Sequence, residues 1–315
     1  MAKMNQTFKE ILQIVIFLLI VGIIIVVAVV YPLNRTKALM ARADADDFNP
    51  DSLPLNDPTP FIEAGLAADT FWIDADGLTV LAAAELSPAP DSSALEDSVE
   101  LRGTAILVHD ERRDRTSMIP LAQTLVDSGF NVVVYDQRAT GFSTAVYHGE
   151  GQYEAADLTE LISYLDIRGR LIHPTTVIGR RLGAEAGLLA SRDEGRIDAV
   201  VAILPYLSTK RMIDVLRVEH DAYWIPFFRT LFWWWYDMRS SYAAAYRTID
   251  NIRGVGCRTL ILTEAESLNE PEFERLKELS EPELLETAVL IDDEQTLQET
   301  ILHFMLLPEQ TESTP

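Results

Sequence analysis

Between residues 104 and 307, short apolar segments of strand length alternate with longer segments of helical periodicity. In the helical segments apolar residues recur three and four positions apart, as they do from Leu158 to Leu165. Repeated alternation of this kind is typical of a parallel sheet with helices on both faces, so the sequence predicts an α/β domain. The predicted strands are 104–108, 131–135, 175–178, 197–204, 259–263 and 287–291, and the predicted helices are 118–128, 153–167, 182–191, 271–279 and 295–307.

Two further strands are predicted ahead of this alternation. Segments 69–73 and 78–85 flank Asp74-Ala75-Asp76-Gly77, and an Asp-Gly pair between two β-like runs indicates a hairpin turn. Later in the chain, more than 50 residues separate the strand at 197–204 from the strand at 259–263. We therefore expect one large insertion, at about 206–255.

The N-terminal part of the chain contains a long apolar run followed by a polar segment. Residues 14–30 are almost wholly apolar, and their flanks extend the run to 11–31. About 20 helical residues cross a bilayer, whereas the apolar part of a cleavable signal peptide is about 7–15 residues long. The sequence therefore predicts a tail at 1–10, an uncleaved transmembrane helix at 11–31, and a linker rich in Asp, Pro and Asn at 32–66.

Charge and composition limit the class of partner. The net charge of -23 lacks the basic footprint that nucleic-acid binding requires, so no nucleic-acid partner is expected. The single cysteine, Cys257, excludes a disulfide framework and a cysteine-based zinc site, and we expect no metal or cofactor. The expected partners are the cell membrane and either a membrane protein or a small anionic or lipid-like ligand. Basic residues on the two sides of the span nearly balance, and the short N-terminal tail favours an extracytoplasmic or periplasmic domain.

Four short motifs occur in order along the predicted α/β domain. They are Val108-His109-Asp110, Asp136-Gln137-Arg138-Ala139-Thr140-Gly141-Phe142-Ser143, Gly179-Arg180-Arg181-Leu182-Gly183 and Thr259-Leu260-Ile261-Leu262-Thr263. Together they resemble four motifs of the α/β-hydrolase family. These are the His-Gly oxyanion loop, an Asp-x-Arg-Gly-x-Gly-x-Ser loop, the Gly-x-Ser-x-Gly nucleophile elbow, and the strand before the triad acid. Ala139 stands where the second of these motifs has its first glycine.

The resemblance covers residues 69 to 307 and implies a fold. It implies a mostly parallel eight-stranded sheet with helices on both faces, its third strand between the fourth and fifth. The domain would occupy 67–307, with a helical aromatic lid at the insertion and a flexible tail at 308–315. An oxyanion-like loop would consist of His109 and Asp110, joined by Leu182 from the helix after the elbow.

The residues at the triad positions do not fit the family's chemistry. The nucleophile position is Arg181, whose protonated guanidinium has no lone pair with which to attack a carbonyl. The acid position falls near Ser267, with Glu264 and Glu266 close by. The stretch expected to carry the base has no histidine, and the only late histidine, His303, lies within the terminal helix. Without serine and histidine no acyl-enzyme can form at these positions.

The spacing of Gly179 and Gly183 therefore indicates an elbow retained for its shape. We predict a membrane-anchored, non-catalytic module that binds a ligand or another protein. The alternative is an esterase or lipase with an atypical nucleophile. The other candidate nucleophiles are Cys257, Ser117 and Ser143, and each is expected to be structural.

Arginines are concentrated in the three loops that the resemblance brings together at the elbow. The candidates are Arg112, Arg113, Arg138, Arg180 and Arg181. One hypothesis is that they hold a carboxylate or phosphate at the helix N-terminus, with Arg181 central. The other is internal pairing, which is the rule for buried arginines. The expected internal partners are Asp110, Asp114, Asp136 and Glu264.

The predicted insertion holds four of the five tryptophans. Its aromatic side chains at the proposed lid or interface are Trp224, Phe227, Phe228, Phe232, Trp233, Trp234 and Trp235. Such enrichment is typical of a lid over an apolar pocket, of a partner interface, or of the membrane interface. A cap packed on its own domain is the structural alternative.

Overall fold

The computed structural model describes most of the chain outside the linkers and the insertion. The described residues are 6–30, 34, 41–42, 53–88, 101–149, 151–208, 211–212, 215, 230, 233–234, 255, 257–290 and 293–307. The chain divides into two compact units. One combines Met1–Met40 with Ile213–Ala245, and the other combines Ala41–Met212 with Tyr246–Pro315.

The first unit contains one long apolar helix. Helix α1 spans Gln6–Ile25 and continues as a π-helical turn over Val26–Val30. The stretch Phe8–Val30 is long and apolar enough to cross a membrane, a property that anchors and signal sequences share. The helix begins before the predicted start at residue 11, so half of the predicted tail is helical.

The second unit is built on an eight-stranded sheet in the order β1-β2-β4-β3-β5-β6-β7-β8. Strands β1 and β2 are antiparallel to their neighbours, and β3 to β8 run parallel. The third strand lies between the fourth and the fifth, as the resemblance implies. The strands are β1 Leu66–Asp74, β2 Val80–Pro88, β3 Thr104–Val108, β4 Asn131–Tyr135, β5 Thr175–Arg180, β6 Ala199–Ile203, β7 Arg258–Thr263 and β8 Leu285–Val289.

Helices cover both faces of this sheet. They are α2 Thr59–Glu63, α3 Ile119–Asp127, α4 Gln152–Ile167, α5 Leu182–Asp193, α6 Pro271–Leu279 and α7 Glu294–Leu306. Alternate residues of each strand point to opposite faces, so Ile106 packs with α4, α5 and α6 while Leu107 packs with α2, α3 and α7. The core therefore consists of two apolar layers, one on each side of the sheet.

The packed domain begins earlier than residue 67. The sequence predicts a linker over 32–66, yet Phe61 in α2 is fully buried in the core. Asn56 is buried as well, and its side-chain amide donates to the carbonyls of Phe71 and Ala83 at 2.8 and 3.2 Å. Arg42 is also buried in the domain. These contacts could not be predicted from the polar composition of the segment. In sequence, a polar residue that is buried and hydrogen-bonded looks the same as an exposed linker residue.

Candidate functional site

The elbow lies where β5 ends and α5 begins, at the carboxyl edge of the sheet. Arg181 has φ 51° and ψ −111°, a conformation that residues other than glycine rarely adopt. Its N–H donates to Ile203 O at 2.9 Å, and its carbonyl accepts from Glu185 N at 3.1 Å. The sharp strand-to-helix turn of a nucleophile elbow is therefore present, with an arginine at its tip.

The two elbow glycines are required by close backbone approach. A Cβ at Gly179 would collide with the backbone of Gly183 across the turn. A Cβ at Gly183 would collide with the carbonyls of Val108 and His109 at the end of β3. Glycine at both positions thus allows α5 to start directly against the sheet.

The Arg181 side chain is half-buried and faces other residues of the domain. Its Nη1 lies 3.5 Å from the Tyr206 hydroxyl, which donates to Glu111 Oε1 at 2.8 Å. Burial alone would lower the pKa of Arg181, but Tyr206, Glu111 and Asp110 outweigh it, so the pKa is raised. Burial and the neighbouring Glu111 also raise the pKa of Tyr206. The nucleophile position therefore holds a permanent cation within an internal polar network.

His109 joins the loops that follow β3 and β4. It is fully buried, and its Nδ1 lies 2.6 Å from Asp110 O. The backbone N–H of Gln137 donates to His109 Nε2 at 3.0 Å, while the Gln137 side chain donates to His109 O. These partners assign the ring proton to Nδ1 and leave the imidazole neutral. The histidine of the oxyanion-like loop thus has a structural role.

The loop after β4 is organised around a buried carboxylate. Asp136 accepts from the backbone N–H groups of Arg115 and Phe142 at 2.8 and 3.0 Å. Burial raises the pKa of Asp136, although the adjacent Arg115 opposes the shift. A Cβ at Gly141 would collide with this carboxylate, which explains that glycine. Ala139, where the family has glycine, retains the left-handed φ of 60°.

Arg138 is paired within the domain. Its Nε and Nη2 bind the two carboxylate oxygens of Asp157 on α4 at 2.8 and 2.5 Å, and Nη2 lies 3.5 Å from Asp76. The guanidinium also lies over the Tyr153 ring. Burial raises the pKa of Asp157 to about 6 despite the arginine. This bidentate pair leaves Arg138 unsuited to bind an external anion.

The remaining candidate arginines, Arg112, Arg113 and Arg180, are all exposed. Arg113 pairs with Asp110 at 3.5 Å. The predicted internal partners are therefore only partly those observed. Asp136 pairs with Arg115 instead, Asp114 accepts from Thr116 N, and Glu264 is exposed.

The residues at the predicted acid and base positions differ in burial. Ser267 is buried and its hydroxyl accepts from Arg211 Nη2 at 2.7 Å. Glu264 and Glu266 are exposed, as is His303 on α7. In the part of the chain that is described, no group of three or more histidine, cysteine or acidic residues could hold a metal ion.

The other possible nucleophiles are held by the fold. The Ser143 hydroxyl donates to Asp136 O and accepts from Ala82 N, and the Ser117 hydroxyl donates to Asp114 O. Cys257 precedes β7 at the amino edge of the sheet, and burial raises the pKa of its thiol. Each of these three residues therefore has a local structural explanation.

Most of the aromatic insertion lies outside the described residues. This applies to Trp224, Phe227, Phe228, Phe232 and Trp235. Trp233 and Trp234 are described as helical, and Trp234 is 54% exposed. The lid or interface role remains a prediction.

The sequence did not single out Glu111 and Tyr206, which interact with Arg181, or His148, whose imidazole interacts with Glu111. Glu111, Tyr206 and His148 come from three different loops, and none belongs to a motif that would single it out. Burial lowers the pKa of His148 to about 4, while Glu111 opposes that shift more than any other charge. The proximity of these residues depends on long-range contacts, so the sequence alone offered no signal for it.

The same fold occurs in solved hydrolase structures. An esterase from Pyrococcus furiosus matches with a TM-score of 0.60 and 18% identity, over 84% of this chain and 97% of its own. Acetyl xylan esterase 1 from Thermoanaerobacterium matches with 0.56 and 14%, over 87% and 92%. An α/β hydrolase from Penicillium matches with 0.52 and 14%, over 76% and 98%. No family model and no curated sequence matches the chain. At these identities the similarity shows an α/β-hydrolase fold without specifying an activity.

Proposed function

We propose that this chain, with its α/β-hydrolase fold, is a membrane-anchored protein whose domain is non-catalytic. The observation that carries the proposal is Arg181 at the tip of the elbow, in the backbone conformation that presents the nucleophile in the family. A protonated guanidinium offers no lone pair, so it can neither attack an ester nor hold an acyl group. The domain then acts by binding a ligand or another protein, and the elbow has a structural role.

The proposal is tested by ester turnover. Purified full-length protein in detergent micelles is incubated with nitrophenyl esters of short, medium and long acyl chains. Hydrolysis is expected to equal that of Arg181→Ala and of protein-free micelles. Turnover that a single Ser→Ala substitution abolishes would overturn the proposal in favour of an atypical hydrolase.

That hydrolase is the alternative function, acting on an ester or lipid. Its support is the fold itself and the retained elbow geometry. The contacts of Ser143, Ser117 and Cys257 weigh against it, because each side chain is engaged or lies at the wrong edge of the sheet. A nucleophile also needs a base within hydrogen-bond reach. For none of these three does a described histidine make that contact.

An anionic group held at Arg181 is a second candidate function. Arg180 is exposed, Arg181 is only half-buried, and the N-terminus of α5 has no side-chain cap. Glu111 weighs against it, because an incoming anion competes with that carboxylate for the same guanidinium. Thermal-shift measurements with phosphate, citrate and a medium-chain fatty acid separate the two cases. Stabilisation that disappears in Arg181→Ala supports a site, and no stabilisation of the wild-type protein rejects it.

We infer that the apolar helix stays attached as an anchor. The segment Ala41-Arg42-Ala43 weakly resembles a cleavage site, and cleavage after Ala43 would remove Arg42 from the domain. Arg42 is 3% exposed, and its side chain hydrogen-bonds to domain carbonyls. A domain that packs these residues favours an anchor that is retained.

A further inference from the structure

The residues that follow the membrane helix in sequence are attached to the hydrolase-fold domain. Ala41 forms an antiparallel bridge with Tyr147, and Arg42 N donates to Val146 O at 3.0 Å. Only residues 31–40 lie between the end of the apolar helix at Val30 and this attachment. The attached segment belongs to the domain rather than to a free linker.

Arg42 contributes its whole side chain to the attachment. Its Nη1 donates to Ser143 O at 2.8 Å and lies 3.5 Å from Ala145 O, and its Nη2 donates to Gly141 O at 2.8 Å. A guanidinium carries five donors in a rigid plane, so acceptors on one loop must hold fixed positions to meet it. Arg42 therefore sets the conformation of the loop over residues 141–147.

The same loop carries His148, whose imidazole interacts electrostatically with Glu111 and with Arg42. Gly149 N donates to Glu154 Oε1 at 2.6 Å, and His148 Nδ1 lies 4.0 Å from that oxygen. The His148 side chain is nine-tenths buried, and its Nδ1 has no hydrogen-bond partner among the described residues. Glu111 Oε2 also has no hydrogen-bond partner among the described residues, while Glu111 Oε1 accepts from the Tyr206 hydroxyl.

We propose that Ala41 and Arg42 form a juxtamembrane strap that closes loop 141–149 over the polar cluster of Glu111, His148 and Tyr206 beside the elbow. The strap links the membrane anchor covalently to the wall of the candidate site. Displacing the strap frees the carbonyls that Arg42 holds and exposes His148. The inference rests on contacts of the folded domain and is independent of whether the domain is catalytic.

The accessibility of His148 tests the strap directly. Diethylpyrocarbonate acylates accessible neutral imidazoles, and mass spectrometry reports the rate at each histidine. In full-length protein in detergent micelles, we expect Arg42→Ala to raise the His148 rate about tenfold, which corresponds to roughly 1.4 kcal/mol of opening free energy. The exposed His303 is the internal reference and keeps its rate. Arg42→Lys gives an intermediate rate, because one ammonium cannot reach all three carbonyls.

Hydrogen exchange separates a local strap from a general folding effect. Arg42→Ala is expected to accelerate amide exchange in peptides covering 141–149 and to leave the central strands unchanged. The control is Arg275→Ala, which removes an exposed arginine paired with Glu278 and changes neither readout. Equal His148 labelling in wild type and Arg42→Ala would overturn the proposal. Faster exchange throughout the sheet would overturn it too, by reducing Arg42 to a folding contact.

Discussion

Gly179 and Gly183 hold β5, α5 and the end of β3 at distances that no larger residue permits. Each glycine faces backbone atoms, which cannot rotate aside as a side chain can. The requirement belongs to the strand-to-helix turn and not to the residue at its tip. This explains how the elbow spacing persists in a chain that carries Arg181 in place of a nucleophile.

Replacing either glycine by alanine should therefore destabilise the folded domain. Gly179→Ala and Gly183→Ala are each expected to lower the free energy of unfolding by about 3 kcal/mol, because the new methyl group forces the backbone apart. Gly195→Ala is the matched control, since a Cβ there meets no atom within 4 Å. Chemical denaturation of the three variants provides the comparison. Equal stability of all three would contradict the geometric account of the elbow.

His148 should make stability depend on pH. Its ordinary pKa is 6.5, and burial lowers the pKa to about 4 in the folded chain. Between these values the unfolded chain takes up a proton that the folded chain does not. Stability therefore falls as the pH falls from about 6.5 to about 4, by roughly 3 kcal/mol in total.

The measurement is denaturation of wild type and His148→Gln at pH 7 and pH 4.5. The variant is expected to lose less stability on acidification, because it lacks the buried imidazole. The raised pKa of Asp157 acts with the opposite sign, since its stabilising contribution is lost as the pH rises from about 4 to about 6. Asp157 is present in both proteins, so their difference isolates His148. An identical pH response would contradict a buried, neutral His148.

At the residue scale, local motifs were predictable and the contacts between them were not. The sequence predicted a strand-to-helix turn over Gly179 to Gly183, and β5 does end at Arg180 with α5 beginning at Leu182, because such a turn is local and has a fixed spacing. It could not pair Arg138 with Asp157 or Arg115 with Asp136, because each pair joins residues about 20 positions apart whose proximity depends on packing. Several acidic residues were equally plausible partners for each arginine.

At the scale of elements, a buried ion pair fastens helix α4 to the loop after β4. Arg138 binds both oxygens of Asp157, and both side chains are almost completely buried. Such a pair is costly to break, since removing one charge leaves the other buried without compensation. Arg138→Ala is expected to lower the free energy of unfolding by about 3–5 kcal/mol.

A double variant distinguishes pairing from packing. Arg138→Met with Asp157→Leu removes both charges and should recover much of the stability that Arg138→Ala loses, as measured by thermal denaturation. Arg275→Ala, at an exposed pair, should change stability by at most about 0.5 kcal/mol. A small effect of Arg138→Ala would show that α4 is held by its apolar contacts alone.

The order and type of elements were predictable because each has a strong period. Strands at 104–108 and 131–135 and the helix at 271–279 have the predicted bounds. The strand predicted at 287–291 lies at Leu285–Val289, whose residues are all half-buried or exposed, so no buried apolar pattern marks its limits. Helix α2 was missed because five residues starting at Thr59 are too short to show a period.

At the scale of the whole molecule, an acidic domain is joined to one apolar helix. The chain is expected to remain intact and membrane-bound, because cleavage after the span would remove the Arg42 contacts. Mass spectrometry of protein extracted from membranes should find the apolar helix and the domain on one uncleaved chain, and alkaline carbonate should not release it. Alkaline phosphatase fused after residue 315 should be active if the domain is exported. A mature form beginning near residue 44 would contradict the retained anchor.

We propose that the domain has no activated serine, because Arg181 occupies the nucleophile position of the elbow. Covalent labelling of activated serines is the most direct test. Full-length protein in native membranes is treated with a fluorophosphonate probe, which forms a stable adduct with activated serines, and is then analysed by mass spectrometry. We expect no adduct in wild type or in Arg181→Ala. A stoichiometric adduct at a single serine, lost when that serine is replaced by alanine, would contradict it.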